Sequence, residues 1–128
     1  MNDSNNPLSP HLQIYRWHIS SLLSITHRIS GVINLLAIIL IFFWLLFLSF
    51  GESNYESFLL IINSFFGKFI LIGFTWSMTF HILSGIRHLV WDLGYGFEIK
   101  IANISGAVVI ILSLLLTVIF WLLGRGLI

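Results

Sequence analysis

Three uncharged and almost wholly apolar runs divide the chain, from Ile29 to Gly51, from Phe69 to Ile86 and from Ile101 to Gly124. A hydrocarbon core of about 30 Å is crossed by roughly 20 residues of helix, and all three runs reach that range, the second only just. The second extends backward through Phe58–Gly67 if Lys68 snorkels or points into the protein. Inside lipid the backbone finds no water to bond, so spanning segments are helices or a closed barrel, and these runs lack the alternation of barrel strands. The pattern predicts an all-α membrane protein of one domain over residues 1–128: an interfacial N-terminal segment over 1–28, then three transmembrane helices over about 29–51, 63–87 and 101–124. Gly51–Glu56 reads as a short loop, and Gly94 and Gly96 predict a sharp turn within Asp92–Lys100. The first run is too long, and preceded by too much polar chain, to be a signal peptide. The leading stretch carries only Arg16 and Arg28, unlike a transit peptide, which favours a bacterial inner membrane over a mitochondrial one.

The polar positions that interrupt this pattern are informative because each costs energy in lipid. Ser24, His27, Arg28, Gly31 and Asn34 recur at spacings of three and four, which is one helix face. Gly73, Ser77, His81, Ser84, Gly85, His88 and Asp92 do the same on the second span. Small residues admit close approach of another helix or a flat ligand, and ionisable ones need partners, so neither stripe suits a lipid-facing surface.

Composition narrows the chemistry. The chain is 58% hydrophobic and 9% charged, whereas a soluble domain carries about 25% charged residues. A net charge of +1 makes no case for nucleic acid. The absence of cysteine excludes disulfides, iron–sulfur clusters and thiolate-bound zinc, leaving redox or metal chemistry to the five histidines. Arg16, Arg28, Arg87 and Lys100 flank the spans on one side, and Lys68 and Arg125 on the other. The bias predicts an N-terminus in the cytoplasm or matrix, the side on which Tyr15, Trp17, Trp91 and Tyr95 also fall.

On that topology His81 lies roughly 9 Å deeper than Arg87, and His27 and Arg28 enter the first span from the same side. A deep neutral imidazole with cations nearer the water suits a haem standing along the membrane normal, with His81 on the iron and the arginines and His88 near its propionates. Asp92, four residues after His88, could orient that ring. Two other readings stay open at this point. A purely structural anchor would use the histidines only for packing. A small transporter using His81 and Asp92 would call for helices broken mid-span, yet both prolines are N-terminal.

Ser24-Ile25-Thr26-His27-Arg28-Ile29-Ser30-Gly31 resembles the S-x-x-H-R-x-[ST]-G signature of the cytochrome b556 subunits of succinate dehydrogenase. The stretch from His81 to Gly94 resembles that family's second signature, H-x-x-x-G-x-R-H-x-x-[aromatic]-D-x-G, and Pro7–Tyr15 is similar to its N-terminal segment. Asn6 stands where the family commonly has Arg before the proline. The resemblance implies a complex II membrane anchor sharing haem b with a second small three-helix, haem-ligating subunit, and docking an iron–sulfur subunit and a flavoprotein subunit. It implies His81 as an axial haem ligand and Ser24 and Arg28 at a ubiquinone site, while placement near the water boundary makes His27, His88 and Arg28 the candidate haem contacts. One axial histidine from this chain implies a second from the partner, or from His27.

Overall fold

Backbone groups that enter lipid must bond within their own segment, and the apolar runs accordingly fold as helices. The computed structural model describes residues 18–127 as four α-helices, with no strand among the described residues. α1 (Ile19–Ser49), α3 (Phe65–Asp92) and α4 (Ile99–Leu127) are each long and apolar enough to cross a membrane, and α2 (Glu52–Ile62) is shorter. The readings placed on Asn6, Pro7–Tyr15, Arg16 and Trp17 lie outside the described residues. α1 runs unbroken through Ser24, His27 and Arg28, so the helix that enters the first span already carries them.

The stretch Gly51–Glu56, expected as a loop, instead opens α2. Glu52 sits in the first turn, where a carboxylate meets the positive end of the helix dipole. Phe58 holds α2 down by packing its ring 5.4 Å from that of Phe47. The chain then breaks at Asn63–Ser64, so Phe58–Gly67 is not a continuous extension of the second span. Ser64 restarts the chain as the N-cap of α3, its Oγ accepting the Gly67 N–H at 3.1 Å.

α3 ends in a Schellman motif: Gly94 N–H donates to the Trp91 carbonyl at 2.7 Å and Tyr95 N–H to the Val90 carbonyl at 3.2 Å. The motif needs a left-handed residue, and Gly94 supplies it at φ +87°. This turn reverses the chain into α4 and puts the start of α1, the end of α3 and the start of α4 at one end of the bundle. α2 caps the other.

The interior inverts the soluble pattern. Leu23, Phe80 and Val109 form the buried apolar cluster, while Ser30, Ser77, Thr79, Ser84, Arg87, Ser113 and Thr117 are buried beside them. Leucine, isoleucine and phenylalanine side chains cover the outside, where lipid is as good a solvent for them as the core. Small hydroxyl side chains then decide which helices meet. Trp76 Nε1 donates to Ser113 Oγ at 3.2 Å, Thr79 Oγ1 to the Ser113 carbonyl at 3.2 Å, and Trp121 Nε1 to Thr75 Oγ1 at 3.3 Å, joining α3 to α4. α1 meets α4 at Gly106, where a Cβ would stand 2.5 Å from Leu23 Cδ1 and 3.0 Å from Ile19 Cγ2.

Candidate functional site

The two polar stripes meet. α1 turns His27, Ser30, Gly31 and Asn34 toward α3, and α3 answers with Ser77, His81, Ser84 and His88. Ser77 Oγ stands 3.1 Å from the Ser30 carbonyl oxygen and 2.9 Å from Asn34 Oδ1. One turn nearer the helix end, the His27 and His81 rings lie parallel, with centroids 4.1 Å apart and planes 8° apart. His88 closes the row at 5.1 Å from His27, tilted by 33°. Gly31 permits this approach, since a Cβ there would already touch His81 Cε1 at 3.4 Å.

Hydrogen bonds fix the tautomers. Ser30 Oγ lies 2.8 Å from the His27 carbonyl, to which it can only donate, and 2.9 Å from His81 Nδ1; with its one proton on the carbonyl, the same oxygen accepts from Nδ1. His81 therefore carries its proton on Nδ1 and presents an Nε2 lone pair. His88 Nδ1 lies 2.7 Å from the Ser84 carbonyl oxygen, which can only accept, so His88 is protonated on Nδ1 too. His27 Nδ1 and Ser84 Oγ are buried without a hydrogen-bond partner. A buried polar atom without a partner costs of order 1–3 kcal/mol and points to a group that would complete it.

Ser24 and Arg28 lie one turn apart on the flank of α1 beside this row. Both are exposed, and neither bonds to a histidine among the described residues. Arg87, expected near the histidines, is turned away from them and is only 7% exposed. Its Nε donates to Ser105 Oγ at 3.0 Å and its Nη2 to the Ala102 carbonyl at 2.9 Å, with Cζ 3.9 Å over the Trp91 ring. Successive helical residues point about 100° apart, so when His88 faces α1 its neighbour faces α4. Asp92, expected to orient His88, is exposed, and the Ser84 carbonyl holds that ring instead. Ser30 was missed as chemistry. Its position three residues after His27 and four before Asn34 is the signal that assigns it to the same face.

Comparison with known proteins gives the same picture along nearly the whole chain. The family described as succinate dehydrogenase/fumarate reductase transmembrane subunit matches residues 2–120. A protein of Rickettsia prowazekii named succinate dehydrogenase cytochrome b556 subunit is 45% identical over 118 residues, covering 92% of this chain and 92% of its own. A protein of the same name from Paracoccus denitrificans is 38% identical over 118 residues, covering 92% of this chain and 91% of its own. With three apolar helices and these bacterial relatives, the chain is a multi-pass protein of the bacterial inner membrane. It belongs to the family of succinate dehydrogenase/fumarate reductase transmembrane subunits, the cytochrome b anchors of those complexes.

Proposed function

We propose that this chain anchors a succinate:quinone oxidoreductase in the membrane, ligates haem b through His81 Nε2 and helps to bind ubiquinone. The observation that carries the reading is the His81 tautomer, which leaves a free Nε2 lone pair beside a buried His27 Nδ1 with no partner. The donor set fits a haem. A neutral imidazole serves the iron, while His27, His88 and Arg28 lie nearer the helix ends, where propionate carboxylates would find N–H donors and a cation. Among the described residues no three histidine or carboxylate groups converge on one point. The stacked rings are therefore no chelating set, and His81 acts as a single ligand. A second small three-helix anchor subunit would supply the other histidine that holds the haem. Haem b, when bound, supplies a one-electron store close to the quinone.

Reducing ubiquinone to ubiquinol takes two electrons and two protons and develops negative charge on the quinone oxygens. Ser24 can donate a hydrogen bond to one of those oxygens, and the Arg28 cation stabilises charge as it develops. Their place at the end of a spanning helix is also where protons are available from water. The electrons originate from succinate in the flavoprotein subunit and arrive through the iron–sulfur subunit, both docked at the cytoplasmic end that carries the histidines.

The test is a visible spectrum of the purified complex carrying His81→Ala. The proposal expects the reduced b-type band to be lost. A band of normal intensity and position would remove His81 as a ligand and favour an anchor whose histidines only pack.

A further inference from the structure

We infer that Ser30 is a positioning residue for the haem iron: its hydroxyl, spent on the His27 carbonyl, holds the His81 ring in the ligating tautomer and tunes the electron density reaching the metal. The inference rests on His81 being a haem ligand and adds a role that neither signature resemblance nor residue type assigns.

Ser30 is 2% exposed and has one hydroxyl proton. The His27 carbonyl, three residues back on the same helix, takes that proton at 2.8 Å. What remains on the oxygen is acceptor capacity aimed across the helix interface at His81 Nδ1, 2.9 Å away. The direction of the bond is thus set by α1's own backbone. Gly31 adds the second constraint: with its missing Cβ 3.4 Å from Cε1, the imidazole edge rests on the α1 backbone. His27, stacked 4.1 Å away, covers one ring face. An acceptor on Nδ1, a wall at the edge and a lid on the face leave the ring one orientation.

The acceptor's chemistry matters as much as its place. Partners of a ligand's second ring nitrogen fix its tautomer and raise its basicity. A carboxylate there would draw the Nδ1 proton and give the imidazole anionic character, favouring ferric iron. A neutral hydroxyl, already donating elsewhere, pulls less and keeps the imidazole neutral. Deleting it would pull least, weaken donation to the iron further and raise the reduction potential.

The experiment compares unsubstituted, Ser30→Ala, Ser30→Thr and His81→Ala complexes by haem content, haem midpoint potential and the low-field g value of the ferric haem. Ser30→Ala should raise the midpoint potential and shift or broaden the low-field g feature, with Ser30→Thr restoring both toward the unsubstituted values. A haem-replete Ser30→Ala complex with unchanged potential and g value overturns the inference and leaves the His81 assignment standing. Should Ser30→Ala assemble without haem, Ser30→Thr decides: values close to the unsubstituted complex support the inference, and displaced values overturn it. Retention of a normal haem spectrum by His81→Ala would instead bring down the ligand assignment itself.

Discussion

Arg28 and Arg87 show how little residue type says without its surroundings. Arg87 is a buried cation with no carboxylate beside it among the described residues, solvated by Ser105 Oγ, the Ala102 carbonyl and the Trp91 face. Its work is to join α3 to α4. Arg87→Ala is expected to lower the stability of the detergent-solubilised complex by about 3 kcal/mol, the lower end of the range for two lost hydrogen bonds to a charged group. Thermal melting would show this as a lower Tm with the haem spectrum unchanged. Arg28 has no partner among the described residues, and its charge is free to act on a ligand. Arg28→Ala should slow ubiquinone reduction by roughly 10²-fold, the scale of losing one preorganised charge-stabilising group. Succinate oxidation by an artificial dye, measured on the same preparation, should persist. Equal loss of both activities would point to misassembly instead of a quinone role.

The elements were legible where a single physical rule dominated. Runs such as Ile29–Gly51 and Ile101–Gly124 have only one way to satisfy their backbone in lipid, so three helices followed from hydropathy alone. α2 was not legible, because an eleven-residue helix with polar first turns has no run of its own and owes its existence to Phe58 packing on Phe47. The site divides in the same way. Periodicity of three and four brought His27, His81 and His88 to facing stripes. It could not show that Arg87 turns to α4, since that depends on how far α3 is rotated against both neighbours, nor that the Ser84 carbonyl, invisible in side-chain patterns, holds His88. At this scale Gly106 is the contact that lets α1 approach α4. Gly106→Val would force its new side chain into Leu23 and Ile19, and overpacking of this kind costs about 1–3 kcal/mol. The expected result is a lower Tm and α1 becoming sensitive to protease, with α3–α4 contacts intact.

For the whole molecule, orientation across the bilayer is directly measurable. Arg28, Arg87 and Lys100 gather at the histidine end and Lys68 and Arg125 at the other, a bias that predicts the histidine end inside the cell. Because the chain has no cysteine, single replacements report cleanly. In intact spheroplasts Ser53→Cys, at the α2 end, should react with a membrane-impermeant maleimide, whereas Glu98→Cys should react only after permeabilisation. The reverse pattern would invert the topology and move the docking face of the succinate-oxidising subunits. The three helices are also unequally bound to one another. α3 and α4 are stitched along their length by Trp76, Thr79, Ser113 and Trp121, while the side-chain bonds seen between α1 and α3 run through Ser30, Asn34, Ser77 and His81. The polar contacts that place the proposed ligand His81 are thus the same ones that fasten the first helix. Any substitution that parts these two helices, such as a bulky side chain in place of Ser77, should therefore displace the His81 ring together with the helix that leans on it.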